Sequence, residues 1–292
     1  MATFGDVTAH RRAVHVHCLV NIHSPVNLIC FYCGIFNPLL SQTFKEEFQV
    51  EFFKLDNAEP RNFVISKLMH MLFYPIWTVI WAVFHLLNLL LMPYYRIDLA
   101  PYPEPWPFYL SNWACLILAV HAVLDCVITF YIFLKKQPLL VPDPAGLMNT
   151  PWYEKLLWVT YNITNVTTLT MTLLLGSLVT YRADAPSILI QIFSSFYVIA
   201  NIIIGGKETR ILHAYQPMAY LFLYILFNLI YSAASGNAIY PTMDWAKTPG
   251  YGILWLLCIL LLIAPLIHLL VYGIYRLREF IVEKCKKDDV PV

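Results

Sequence analysis

Residues 108–134 read FYLSNWACLILAVHAVLDCVITFYIFL, and Asp125 is the only charged residue among them. About 20 mostly apolar residues in a helix cross a bilayer. A barrel strand would alternate apolar and polar residues over about 10 positions. This run is longer and does not alternate, so it predicts a transmembrane helix. Five further runs meet the same description: residues 69–92, 156–181, 187–206, 212–233 and 252–275. Pro75, Pro217 and Pro265 fall within or at the ends of these helices. Neighbouring helices in a bundle can satisfy the carbonyls they free. The expected fold class is all-α: a polytopic membrane protein built as a six-transmembrane-helix bundle.

Composition agrees with that reading. Of the 292 residues, 59% are hydrophobic and 13% charged. Mean hydropathy is +0.62. A soluble domain carries about 25% charged residues. A soluble enzyme and a disordered chain are therefore excluded. The net charge of +1 gives no electrostatic reason for a nucleic-acid partner. Membrane lipids are the expected partners, together with other membrane proteins.

Orientation follows from Lys and Arg, which concentrate on the cytoplasmic side. The segment before the first span holds Lys45, Lys54, Arg61 and Lys67. The second loop adds three cations, the fourth loop adds Lys207 and Arg210, and the tail adds five, giving fourteen. The opposite side has three: Arg96, Arg182 and Lys247. Both termini are expected in the cytoplasm. The division is a cytoplasmic segment 1–68, with 1–43 disordered or interfacial, a transmembrane domain 69–275 and a basic tail 276–292. No secretory signal is evident, because His15, His17, His23 and Pro25 break the first apolar stretch.

The polar residues inside the spans are candidates for function. At about 1.5 Å per residue, His121 falls near the midplane. Asp125, Asn162, Asn165, Asn201 and His268 fall toward the cytoplasmic side, so one polar layer is expected. An unpaired carboxylate in lipid is costly, so Asp125 should face inward, paired or protonated. His121 and Asp125, four residues apart, share a helical face. They could carry a proton, which defines a proton-coupled carrier as one alternative. Packing is the other explanation, since polar and small residues hold membrane helices together. The sequons at Asn162 and Asn165 lie within a span and are expected unmodified.

Ser111 and His85 form a second candidate set toward the outer face. Ser111 and His121 are separated by about 15 Å along one helix. A nucleophile needs its base within hydrogen-bond reach, which leaves His85 as the candidate base for Ser111. No histidine pair is suited to haem. Cys30 and Cys33 form one CxxC, which reads as a reduced pair rather than zinc ligands. No cofactor or metal is expected.

Several short motifs follow one another in order. They are FKEEFQVEFFKLDNAEPRNF (44–63), PFYLSNW (107–113), TRILH (209–213), IYPTMDW (239–245) and YGIYRLREF (272–280). Around six spans, this order resembles the rolling stone family of multi-pass membrane proteins. The resemblance covers about residues 44–281. It implies a plasma-membrane protein with a role in myoblast fusion or development; the positive-inside pattern by itself fits the endoplasmic reticulum equally.

The chain is more distantly similar to the androgen-induced membrane threonine hydrolases, which cleave esters of hydroxy fatty acids. That similarity places Ser111 at the position of their nucleophilic threonine. Their essential histidine lies in a later helix resembling residues 187–206, SILIQIFSSFYVIANIIIGG, which contains no histidine. Hydrolysis would then need His85 as a substitute. The leading expectation is a non-catalytic membrane protein, with an ester hydrolase using Ser111 as the alternative.

Overall fold

A computed structural model of the chain describes residues 48, 53–55, 60–70, 72–95, 106–135, 150–178, 185–240 and 243–288. Residues 1–43, Arg96 and Arg182 lie outside the described residues. The described elements are helices: α1 (Phe73–Tyr95), α2 (Leu110–Lys135), α3 (Trp152–Leu178), α4 (Ala185–Ile204), α5 (Tyr215–Ser235), α6 (Pro249–Leu257) and α7 (Ala264–Asp288). Among the described residues there is no strand, only an isolated bridge between Ser66 and Gly205.

Four stretches are long and apolar enough to cross a membrane: Phe73–Leu91, Leu110–Lys135, Ile211–Ser235 and Pro249–Cys285. α1 shows how such a helix divides its surface. Ile76, Ile80, Val83, Leu87 and Leu90 form an exposed apolar stripe. Tyr74, Thr78, Trp81 and His85 repeat at helical spacing on the buried side. The apolar stripe suits lipid contact.

α3 is long but more polar, and its burial explains why. From Leu157 to Met171, every residue except Val159 and Ile163 is buried. The helix packs against α2, α4, α5 and α7. A post enclosed by protein has no need of an apolar exterior. Its hydroxyls also satisfy themselves locally: Thr160 donates to the Leu157 carbonyl, Thr167 to that of Ile163 and Thr172 to that of Thr168. The described part of α4 contributes a shorter apolar stretch, Gln191–Ile204.

The last span is one rod in three pieces. Pro249 sits in the first turn of α6, where its missing N–H costs nothing. Residues Cys258–Ile263 form a π-helical segment, and Ala264 N–H bonds back to the Ile259 carbonyl. Pro265 follows immediately. The wider turn accommodates a residue that has no N–H to donate. The rod then continues to Asp288, well past residue 275, so the basic tail begins as helix.

The quoted motifs meet at the two ends of the bundle. At one end, Tyr224 donates to the Phe108 carbonyl at 2.8 Å and Leu110 N–H to Tyr240 Oη at 3.0 Å. Trp245 Nε1 donates to Asn228 Oδ1 at 2.8 Å, and Gly252 packs against the Trp245 ring. At the other end, Phe63 packs edge-on against Trp158, and Arg210 lies 4.6 Å over the Trp158 ring.

Candidate functional site: a buried ion cluster

The strongest polar assembly is centred on Asp125 of α2. Lys207 Nζ lies 2.9 Å from Asp125 Oδ1 and 2.8 Å from Oδ2. Each side chain is only 1% exposed. Tyr74 of α1 donates to Asp125 Oδ2 at 2.9 Å, and Lys207 donates in turn to Tyr74 Oη. All three ammonium protons of Lys207 are therefore used, and the carboxylate accepts from two neighbours. The Lys207 ammonium also lies 4.9 Å over the Tyr74 ring and 5.7 Å from the Tyr161 centroid. Burial holds the Lys207 amine below the usual lysine range, with Asp125 partly restoring it.

The backbone that delivers Lys207 is tightly held. Gly206 N–H donates to the Ile65 carbonyl at 3.0 Å, and Ser66 Oγ donates to the Ile204 carbonyl at 2.7 Å. Arg278 of α7 is 1% exposed. It donates to the carbonyls of Ile202, Gly205, Gly206 and Lys207. These carbonyls lie in the last turn of α4 and just beyond it, where the helix itself supplies no partner. Arg278 also contacts Glu279, which pairs with Lys67 at 2.9 Å. Three chain segments thus close around one loop.

Lys207, Arg210 and Arg278 have the sequence positions of span-flanking charges, yet all three are buried and bonded within the protein. A carboxylate in an apolar helix demands a cation, but in the sequence Lys207, after Gly205–Gly206, reads only as a loop cation. Tyr74 carried a weak signal, its place on the inward stripe of α1.

The other candidate residues fall into separate networks. His121 is fully buried, and its Nδ1 lies 3.2 Å from Thr160 Oγ1. No hydrogen bond joins it to Asp125 among the described residues. Asn162 Nδ2 donates to Gln216 Oε1 at 2.9 Å and meets His213 Nδ1 at 3.3 Å. Asn201 accepts from Trp77 Nε1 at 3.3 Å and contacts Tyr197 Oη. His268 Nε2 donates to the Arg210 carbonyl at 2.9 Å. Asn165 Nδ2 is buried without a partner. Ser111 Oγ lies 3.5 Å from Asn112 Oδ1. His85 instead stacks on Trp81 and packs 4.9 Å from Tyr197. No hydrogen bond links Ser111 and His85 among the described residues. These residues also contain no cluster of three or more metal-ligating His, Cys, Asp or Glu side chains.

Neither a family model nor a solved structure matches the chain. The chain is similar to the protein rolling stone of Drosophila melanogaster. The two are 25% identical over 185 residues, 59% of this chain and 66% of that protein. The chain therefore spans just under two thirds of that relative's length. The likeness supports a weak relationship to rolling stone. With the four apolar helices, it marks an integral membrane protein.

Proposed function

We propose that this chain is a non-catalytic membrane protein of rolling stone type with six spans and both termini in the cytoplasm. Its site of action is the plasma membrane. There it serves cell–cell fusion, as in myoblasts, or development, through contacts with lipid or other membrane proteins. The observation that carries this reading is the saturated Lys207–Asp125–Tyr74 cluster. Every ammonium proton already has an acceptor, so the cluster fastens helices together. A carrier based on Asp125 would have to break this cluster in each cycle. An ester hydrolase based on Ser111 would need a base, and among the described residues no hydrogen bond joins Ser111 to His85.

The test is removal of the protein from fusing myoblasts, scored as nuclei per syncytium. Fusion should fall and be rescued by the wild-type chain and by Ser111→Ala. Unchanged fusion would overturn the proposed role. Labelling by a serine-directed fluorophosphonate that disappears in Ser111→Ala would instead establish the hydrolase.

A further inference from the structure

The spans α1 and α2 are level at one end and stepped at the other. Tyr74 Oη donates to Asp125 Oδ2 at 2.9 Å, which fixes the register of these consecutive, antiparallel helices. In the direction of Tyr95 they match. The exposed apolar residues of α1 end at Leu91, about 25 Å along the helix from Tyr74. α2 starts at Leu110, about 22 Å from Asp125 in the same direction.

In the opposite direction they do not match. His70, whose carbonyl accepts from Phe73 N–H, is exposed about 6 Å from Tyr74. α2 instead runs about 14 Å past Asp125, to Leu134, before its next charge at Lys135. Val127, Phe130, Tyr131 and Leu134 are exposed there. α3 accompanies it: Tyr153 packs edge-on against Tyr131, with ring centroids 5.7 Å apart, and Trp152 and Leu156 are exposed. Apolar surface thus reaches about 8 Å further on α2 and α3 than on α1. Side chains lean toward the N-terminus of their own helix, so the Tyr74 backbone lies further from this end than its hydroxyl does, which widens the step.

Charge marks the short side. Lys67 and Glu279 pair at 2.9 Å, with 19% and 27% of their side chains exposed. Arg278, next to Glu279, bonds the Ile202 and Gly205 carbonyls, so the pair lies by the last turn of α4. Arg276 is exposed as well. Such charges need headgroups or water around them. Tilting the bundle does not remove the step. Tilt displaces both ends of a helix together relative to its neighbour, and the far ends are already level.

We infer that the protein steps the leaflet around this end of the bundle: acyl chains follow α2 and α3 to Leu134, while the headgroups beside α1, α4 and α7 sit about 8 Å nearer the bilayer centre. Lipid occupies the α2–α3 face because that apolar surface is continuous with the spans. It closes in Tyr131, Trp152, Tyr153 and Lys135, residue types of a membrane interface. A flat bilayer level with His70 would leave the face in water. One level with Leu134 would sink Lys67, Glu279 and Arg276 into hydrocarbon. The step names a phospholipid leaflet as the contact of the proposed role, and it rests on the reading of α1 and α2 as spans rather than on fusion.

The test places a nitroxide amino acid at His70 or Leu134 of the full chain by stop-codon suppression, with the native cysteines untouched, in phosphatidylcholine bilayers. Both positions are exposed, so the label displaces no buried side chain. Collisions with oxygen, which concentrates in hydrocarbon, and with a water-soluble nickel chelate give the depth of each label. On a flat bilayer, position 134 lies further toward water than position 70. The expected result is the reverse, an oxygen-to-nickel collision ratio several-fold higher at 134 than at 70. A ratio at 134 equal to or below that at 70 would overturn the inference. So would a label at 134 shielded from both reagents, which would assign the α2–α3 face to a protein partner. Neither result bears on the fusion assay.

Discussion

Lys207 and Asp125 form a 2.8 Å ion pair across 82 residues of sequence, each side chain only 1% exposed. The pair joins the loop after α4 to the middle of the bundle, and Tyr74 adds α1 to the same cluster. Removing charges from water is expensive, so the pair stabilises only while both partners are present. Breaking one partner strands the other.

Lys207→Met should therefore destabilise the protein by about 3–5 kcal/mol. The double variant Lys207→Met/Asp125→Leu should recover most of that loss, because no charge remains buried. Thermal unfolding in detergent, arranged as a double-mutant cycle, measures the coupling. Equal losses in the single and double variants would contradict a dedicated pair.

Much of the helical framework is legible in the sequence, because length and hydropathy suffice to mark apolar helices. Helix ends are less legible. The last helix continues to Asp288, with Arg278 turned inward beneath α4, a contact no local pattern reveals. The Thr- and Asn-rich character of α3 reflects enclosure by other helices. Asp125 stands out as a lone carboxylate in an apolar run. Its partner does not, since Lys207 follows two glycines between spans and reads as a surface cation. Only tertiary packing against residues 62–66 turns that lysine inward.

Gly206 provides a backbone test of the same loop. A Cβ there would lie 2.6 Å from the Asn62 carbonyl oxygen and 3.1 Å from that of Ile65. Both are backbone atoms and cannot swing aside. Gly206→Ala should cost about 1–3 kcal/mol through overpacking. Gly273, on α7, has nothing within 4 Å of its added Cβ. Gly273→Ala should be neutral or stabilise by up to about 1 kcal/mol. Comparing the melting temperatures of the two variants separates a local clash from a general intolerance of substitution.

Glu154, in the first turn of α3, predicts a pH dependence. Its side chain is fully buried, and neither carboxylate oxygen has a hydrogen-bond partner. Burial pushes its pKa from 4.5 up to about 8. The folded state therefore binds this proton more tightly than the unfolded chain. The associated stability is fully present below pH 4.5 and is lost as pH rises through about 8. Glu154→Gln cannot ionise, so it should flatten that decline and raise stability at pH 8 by a few kcal/mol. Melting curves of both proteins across this range would show it. Parallel curves would mean that Glu154 ionises alike in the folded and unfolded chain, so that burial does not raise its pKa.

The topology can be tested where the bookkeeping of charges has changed. With Lys207, Arg210 and Arg278 committed to internal bonds, eleven Lys and Arg remain on the proposed cytoplasmic side against three on the other. Positive-inside bias acts on residues near the span ends during insertion, before tertiary bonds form. Both counts therefore point the same way. Lys247, whose side chain is 84% exposed, lies in the loop before α6 and should face outside the cell. Lys247→Cys should react with a membrane-impermeant maleimide on intact cells. Epitope tags at either terminus should be reached only after permeabilisation. Staining of either tag on intact cells would mean an odd number of spans or an inverted bundle, and the loop carrying Lys207 would then need a new assignment.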